Sequence, residues 1–381
     1  MTPESYLSAL KLTAFRNYAS LSADFEARHV VLTGPNGAGK TNLMEAVSFL
    51  SPGRGLRRAQ LADVAKAGTQ DGFAIHATLM RDGESYAIGT GTALGEAGQR
   101  RLRINGTNAK SADELLDLCR IIWLTPSMDG LFTGPASDRR RFLDRMVLAI
   151  DPAHGRRAAD YEKAMRQRNR LLEDPPNSQT DAWLTATESQ VAALGSAIIA
   201  ARQELAGLLA AIIAERHEDG DPFPTASLAI EGELEESARE GAAAGEIEER
   251  LIADYRDGRY RDRAAGRTLT GPHRAEFAIR HGQKDMPAAQ CSTGEQKALL
   301  VGLVLAHAAL TRTVSGMAPI MLLDEIAAHL DPARRAALFD RIDAVGGQAF
   351  MTGTDRALFE ALEKRAQYFR VENGALTRER D

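Results

Sequence analysis

The sequence predicts an α/β protein whose head is assembled from both ends of the chain, with a helical segment inserted between them. Three observations predict it. Strand-like runs with turns fill the first hundred residues. Strand–helix alternation returns from about Thr268. The stretch between, from Ser137 to about Arg250, is rich in Ala, Leu, Arg and Glu.

At 381 residues the chain exceeds what one compact core needs, so two or three domains are allowed. Hydrophobic content of 44% and charged content of 26% are ordinary for a soluble globular protein. No apolar run approaches the roughly 18–20 residues of a membrane span, so no membrane association is expected. The opening MTPESYLSALKL lacks the basic start and long apolar run of a signal peptide. The two cysteines, Cys119 and Cys291, lie far apart with no CxxC, which argues against a disulfide framework or zinc site and fits a reducing cytoplasm. The net charge of −5 leaves no whole-molecule basic field, so any nucleic-acid contact must use local patches.

Taken in order, "YLSALKLTAF" alternates as a half-buried strand and "HVVLTG" is a short apolar run ending in glycine. A helix follows from about Thr41 to Leu50. "GFAIHATLM", "SYAIGTGTAL" and "QRRLRING" read as strands, with turns at "RDG" and "ING". "ASDRRRFLDRMVLAI" opens with a Ser/Asp cap before a periodic stretch, and "GRRAADYEKAMRQRNRLLE" runs helical to "DPPNSQ", where proline forbids continuation. The segment 181–218 is long for a globular helix and suggests an arm. "DGDPFPTASLAIEGELE" is a loop with a possible strand, and "AGEIEERLIADYRDGRY" is helical. Then "EFAIRH" reads as a strand, Glu295–Val314 as a helix, "PIMLLDE" as a strand and "DPARRAALFDRIDAV" as a helix. "QAFMTG", "DRALFEALEK" and "QYFRVENG" close the chain as strand, helix and strand. The expected division is 1–135 for the N-terminal part of the head, 136–265 for the helical insertion and 266–381 for the C-terminal part of the head.

Chemistry enters at "GPNGAGKT", Gly34-x-x-x-x-Gly39-Lys40-Thr41, which follows a short strand and opens a helix. Gly34, Gly37 and Gly39 let the backbone turn tightly and aim its N–H groups at phosphate oxygens. The start of the next helix adds a favourable partial charge. Lys40 reaches the β- and γ-phosphates, and Thr41 offers a hydroxyl to Mg²⁺. The nucleotide-binding set is Gly34, Asn36, Gly37, Ala38, Gly39, Lys40, Thr41 and Asn42. A second metal ligand is needed on a neighbouring strand, and "PIMLLDE" supplies Asp324. Glu325, one residue on, stands where it could polarise an attacking water.

A third element is "STGEQ", Ser292 to Gln296, at the start of an apolar helix. Ser292 can donate a hydroxyl, Gly294 lets its backbone N–H approach closely, and the helix start presents further N–H groups, which together make a second anion clamp. This clamp would close a γ-phosphate from a second copy of the chain. The same residues also read as a capping arrangement, and both roles are compatible.

The composite of P-loop, acidic strand and Ser-x-Gly-x-Gln turn resembles ABC-type ATPase heads in the SMC-like branch, and Asp331 in "HLDP" matches their D-loop. "LTAFRNYASL", "GPNGAGKTNLMEAVSFLSPGRGLRRA", "RRRFLDRM", "YEKAMRQRNRLL", "TGPHRAEF", "STGEQKALLVGLVLAHA" and "MLLDEIAAHLD" resemble the RecF family of bacterial recombination mediators, in its order and over essentially the whole chain. The resemblance implies an ABC-type, SMC-like P-loop ATPase head with an inserted helical arm, using ATP and Mg²⁺. It implies an ATP-induced homodimer that clamps DNA where duplex meets single strand. It also implies cooperation with RecR and RecO in loading RecA, release on slow hydrolysis, and support of replication and the SOS response. It places Arg16 near the nucleotide phosphates, and Ser292, Gly294, Gln296 and Asp331 at the nucleotide across a dimer interface. The absence of a CxxC hook favours a short arm over a long coiled coil.

Departures from the ABC pattern are local. The segment after the last core strand, "FMTGTD", has Thr352 and Thr354 where transporter heads carry a switch histidine, and "WLTPSMD" (123–129) stands in the place of a Q-loop without its glutamine. Arg54, Arg57 and Arg58 form a basic cluster, and Arg139–Arg141 are expected to brace the arm against the head. His273 and Arg274 are expected to link arm and head. "YRDGRYRDRAAGRTLTGPHR" carries six arginines but is interrupted by Asp257 and Asp262, which suggests internal ion pairs. His329 is expected to be structural or at the interface. The alternatives are a RecF-like ATPase in phage defence and an ABC transporter ATPase subunit, the latter disfavoured by the insertion and the missing histidine.

Overall fold

Strands from the two ends of the chain share one parallel sheet, and this places the candidate site. The computed structural model describes residues 3–69, 72–92, 98–175, 177–218, 222–328 and 330–379. His329 and the last two positions of "SYAIGTGTAL" lie outside them. The chain divides into two compact units. The first is Met1–Asp129 with Gly220–Phe223 and Thr293–Asp381; the second is Gly130–Asp219 with Pro224–Ser292.

The first part of the head holds β1 (Ser5–Phe15), β2 (Tyr18–Asp24), β3 (His29–Thr33), α1 (Lys40–Ser48), β4 (Ala74–Arg81), β5 (Glu84–Gly91), β6 (Arg101–Ile104), β7 (Thr107–Asn108) and β8 (Ile121–Leu124). The second unit contributes α2 (Ala136–Ile150), α3 (His154–Glu173), α4 (Ser178–Glu218), β9 (Ala226–Glu231), α5 (Glu233–Arg239), α6 (Ala244–Asp257), α7 (Arg259–Ala265), β10 (Glu276–His281) and β11 (Met286–Pro287). The head then resumes with α8 (Thr293–Ser315), β12 (Ile320–Leu323), α9 (Pro332–Val345), β13 (Ala349–Gly353), β14 (Ala366–Glu372) and β15 (Ala375–Arg378).

The head has two six-stranded sheets. One is antiparallel, in the order β2-β1-β4-β5-β6-β7; the other runs β15-β14-β3-β13-β12-β8, parallel except for β15. Every residue of β3 and β12 is buried. That is why these strands read as unbroken apolar runs: a central parallel strand is covered on both faces. β1 faces the core on one side only, so it alternates, with Leu10 and Leu12 buried and Lys11 exposed. The core between the sheets and α1 is filled by Phe15, Phe49 and Phe73, packed edge to face at 5.6–6.0 Å.

The expected terminal helix "DRALFEALEK" is instead a pair of 3₁₀ turns over Arg356–Arg365, broken at Glu363 with φ of 47°. Its buried residues, Phe359 and Leu362, are three apart, and three residues per turn stacks them on one side.

The second unit is built on α4, which spans 41 residues and packs against α3, α6 and β9. Its core joins Tyr161 and Met165 to Val191, Ile198 and Ile199, and to Ile247, Leu251 and Tyr255. β10 pairs antiparallel with β9, Phe277 opposite Ile230. This pairing puts residues 266–292 with the helical unit, where the sequence division had joined them to the C-terminal part of the head.

Among the described residues two helices, α4 and α8, are long and apolar enough to cross a membrane by length and composition, where the sequence pattern predicts none. Both have other reasons to be apolar. α8 buries thirteen residues in the head. α4 carries buried Glu188 and Arg202, each in an ion pair within its own unit.

Two expectations for basic residues change here, and the internal ion pairs expected of the arginine-rich stretch are present in part. Arg139 holds Glu276 of β10 at 2.6 and 2.9 Å and three carbonyls of residues 131–134, while Arg140 donates to the Ala275 carbonyl. These arginines brace α2 to its own unit, because β10 lies there. His273 is likewise internal: it meets the Tyr161 hydroxyl at 2.9 Å and the Thr268 carbonyl at 3.1 Å. In the arginine-rich stretch Arg259 pairs with Glu188, while Asp262 pairs with Arg168 of α3, outside the stretch.

Burial pushes the His273 pKa below its ordinary value, with Arg274 and Arg140 adding to the effect and Thr268 and Asp262 opposing it. A histidine held neutral in the fold binds fewer protons than in the unfolded chain. Its stabilisation is therefore complete above the unfolded pKa of about 6.5 and is lost as pH falls below that value toward the folded pKa. The expected result is a decline in unfolding free energy from pH about 6.5 to 5 that is shallower in His273→Gln, read by urea denaturation across that range. Parallel pH slopes for the two proteins would show that His273 does not couple to folding.

Candidate nucleotide site

The loop between β3 and α1 turns on glycines for a steric reason. Gly39 has φ of 119°, and a Cβ there would lie 2.6 Å from Asn17 Nδ2 and 2.8 Å from the Tyr18 hydroxyl. Gly34, at φ of 139°, would press a Cβ to 2.3 Å from the Val371 carbonyl oxygen. Only glycine fits either position.

The turn between β1 and β2 holds this loop from outside. Tyr18 donates its hydroxyl to the Gly39 carbonyl at 3.0 Å, and Asn17 donates to the Ala38 carbonyl at 3.1 Å. Asn42 donates to Asn17 at 2.7 Å and accepts from Arg57 at 2.5 Å. Behind α1, the fully buried Glu45 receives Arg16 through Nε and Nη2 at 2.8 and 2.6 Å and Arg57 at 3.0 Å. Arg16 also donates to the Asp63 carbonyl at 2.7 Å. The residue that the family resemblance places at the phosphates is thus engaged with Glu45 here. Glu45 itself was missed in the sequence, where a glutamate inside an amphipathic helix looks like a solvated position.

Inside the loop, Lys40 is 5% exposed and donates to the carbonyls of Gly34 at 2.6 Å and Pro35 at 3.1 Å. Burial pushes its ammonium below the usual lysine pKa, with the negative charges of Glu325 and Asp324 acting the other way. Thr41 donates to Asp324 at 2.9 Å, across 283 residues of sequence. Asp324 is buried at the end of β12 and also receives the Thr352 hydroxyl at 2.6 Å. Glu325 follows with φ of 51°, turning the chain out of the strand, and its N–H donates to the Thr352 hydroxyl at 2.9 Å.

The structure therefore gathers Lys40, Thr41, Asp324 and Glu325, with Thr352 added from β13. Thr354 is exposed. Gly37 carries φ of 81° at the crest of the loop, beside exposed Asn36 and buried Ala38. The other predicted residues sit on other elements. Ser292, Thr293 and Gly294 are exposed where α8 begins, and Gln296 is buried in its first turn. A Cβ on Gly294 would meet nothing within 4 Å, so the fold of one chain gives no reason for glycine there. Asp331 caps α9, accepting from the Arg334 N–H at 2.9 Å. In the segment 123–129, Asp129 pairs with Lys297 of α8 at 3.5 Å.

A glycine loop leading into a helix, a buried lysine, and a threonine paired with the carboxylate of a strand two places away define a P-loop ATPase head. Its architecture is that of the ABC-type, SMC-like heads. Residues 6–377 match the family described as the RecF/RecN/SMC N-terminal domain. Over 378 residues the chain is 60% identical to the DNA replication and repair protein RecF of Rhizobium meliloti (strain 1021), covering 99% of this chain and 100% of that one. It is 64% identical over 371 residues to the protein of the same name from Brucella suis biovar 1 (strain 1330), covering 97% and 95%. A solved structure of the recombination mediator RecF with ATP, in the RecFOR pathway, superposes with a TM-score of 0.85 at 22% identity, covering 99% of this chain and 100% of that one. An Smc head domain of Pyrococcus furiosus, with an extended coiled coil and bound to part of ScpA, gives 0.55 at 16% identity over 98% and 96%. The chain belongs to the RecF family.

Proposed function

We propose that this chain is an ATP-dependent DNA replication and repair protein acting as its RecF relatives do, as a clamp on DNA that ATP closes and hydrolysis opens. The observation that carries the nucleotide part is the Thr41–Asp324 hydrogen bond between opposite ends of the chain, beside the buried Lys40 held in the glycine loop. The repair part rests on the RecF names of relatives 58–64% identical over nearly the whole chain.

In this reading the backbone N–H groups of residues 34–42 surround the ATP phosphates. Lys40 leaves the two loop carbonyls for the β- and γ-phosphates, and Glu325 orients and deprotonates the attacking water. The hydroxyl of Thr41 and the carboxylate of Asp324 are hard oxygen donors already in contact, a set that fits Mg²⁺. When bound there, the ion would neutralise phosphate charge. Ser292, Gly294 and Gln296, with Asp331, act on the nucleotide of a second copy, which gives the exposed Gly294 its purpose. Arg16, through Glu45, braces the helix behind the phosphates. The heads, built from 1–129 and 293–381, close on DNA at gap junctions, with the helical insertion as a short arm. RecR, RecO and RecA are the partners in the pathway, in the cytoplasm.

The test is solution mass by sedimentation with and without Mg-ATP, using Glu325→Gln to suppress hydrolysis. A monomer-to-dimer shift that Ser292→Arg abolishes is expected. A mass that ATP leaves unchanged at saturating concentration would reduce the Ser292 turn to a helix cap.

A further inference from the structure

We infer that Thr352 is a positioning residue for ATP hydrolysis, which through one hydroxyl sets both the Asp324 carboxylate and the backbone turn that aims Glu325. The inference rests on the nucleotide-site reading above and adds a residue to it.

Strand order brings Thr352 to the site. β13 lies between β3, which leads into the phosphate loop, and β12, which ends in Asp324 and Glu325. Met351 stands opposite Leu323, so the next residue, Thr352, lies beside Asp324. On its other side Thr352 is registered with Leu32 and Gly353 with Thr33. Thr352 is fully buried, and the rest of β13 is Ala349, Phe350, Met351 and Gly353. Valine would fill the same volume in such a strand. A buried hydroxyl there is costly unless it is hydrogen-bonded, and this one is bonded twice. It donates to Asp324 Oδ1 at 2.6 Å and accepts from the Glu325 N–H at 2.9 Å.

The second bond matters because of what Glu325 does. At φ of 51° it adopts a conformation unfavourable for a residue with a Cβ. The turn takes its N–H out of the ladder, and without Thr352 that donor would have to find another acceptor. The first bond holds Asp324 against Thr41. Thr352 thus links the two acidic residues of β12: lose its hydroxyl, and both the carboxylate that faces Thr41 and the direction of the Glu325 side chain are released. Thr354, exposed, cannot serve this purpose.

The experiment compares Thr352→Val, Thr352→Ser and Thr352→Cys with the unaltered protein and with Lys40→Ala. It measures steady-state ATP turnover, equilibrium affinity for a slowly hydrolysed ATP analogue, and hydrogen exchange at the Glu325 amide. Thr352→Val is expected to lower kcat by about 100-fold, the loss typical of a misplaced catalytic group. Analogue affinity is expected to stay within about threefold, because Lys40 and the loop N–H groups are untouched. Thr352→Ser should restore turnover to within a few-fold, and Thr352→Cys, with a weak donor, should fall between. Glu325 amide exchange should quicken in Thr352→Val and return in Thr352→Ser. In a Glu325→Gln background, Thr352→Val should cost less than in the unaltered protein, since one of the two carboxylates it positions is already gone.

Unchanged kcat in Thr352→Val, while Lys40→Ala is inactive, would overturn the inference and leave the nucleotide site standing. Equal losses of affinity and turnover, or failure of serine to rescue, would show a packing role and overturn it too. Should Lys40→Ala bind and hydrolyse ATP like the unaltered protein, the nucleotide-site reading fails and the role of Thr352 falls with it. If Thr352→Val does not fold, the Ser and Cys variants decide: equal kcat in the two would overturn the inference.

Discussion

Glu325→Gln is expected to lower ATP turnover by about 10²–10⁴-fold, the contribution of a positioned general base, while ATP affinity changes by no more than a few-fold. The amide is nearly isosteric with the carboxylate and keeps the backbone turn, so the N–H bond to Thr352 is retained. What it cannot do is accept a proton from water. The split between affinity and turnover separates this residue from Lys40, whose buried ammonium belongs to ground-state phosphate binding. Single-turnover hydrolysis at saturating ATP is the measurement, paired with analogue binding. A variant turning over at the unaltered rate would remove Glu325 from the mechanism and leave only Asp324 on that strand as a working carboxylate.

Arg168→Met is expected to destabilise the helical unit by about 3–5 kcal/mol, the cost of breaking a buried ion pair from one side. Arg168 is fully buried. It reaches Glu188 at 3.1 Å, Asp262 at 2.7 Å, the Thr268 hydroxyl at 2.6 Å and the Tyr255 carbonyl at 2.7 Å. It also lies 5.0 Å from the centre of the Tyr255 ring. Methionine fills the space but leaves the Asp262 carboxylate buried without its cation, while Glu188 keeps Arg259. Adding Asp262→Asn should recover part of the loss, because the amide costs less to bury than a charge. The two tryptophans serve as local reporters, Trp183 on α4 of the helical unit and Trp123 on β8 of the head. Urea unfolding followed at Trp183 in a Trp123→Phe background reads the effect. A loss below about 1 kcal/mol would mean that the apolar core of α3, α4 and α6 holds the unit with little help from this network.

The local elements were legible because each is written in neighbouring residues. The run at 29–33 announces a buried strand, Gly34 to Thr41 a phosphate loop, and the recurrent apolar positions of 181–218 a long helix, which in the fold starts earlier, at Ser178. The 3₁₀ turns at 356–365 were less legible, since Phe359 and Leu362 suit either a 3.6- or a 3-residue repeat. The unit to which "EFAIRH" belongs was not legible. A six-residue strand carries no mark of its partner, and pairing with β9 decided it. Arg139 and His273 shifted for the same reason: each was placed by the element it touches, not by its neighbours in sequence.

By itself the sequence determined the phosphate loop, the acidic strand, the exposed Ser292–Gly294 turn and the helical insertion, since those depend on residue types at short spacing. Tertiary structure alone decided that Arg16 rests on Glu45, that Thr41 meets Asp324 across 283 residues, and that Thr352, not Thr354, stands between Asp324 and Glu325. The physical reason is that a side chain's partners in a parallel sheet follow from strand order and register. Long-range pairing sets both, and no local periodicity encodes them.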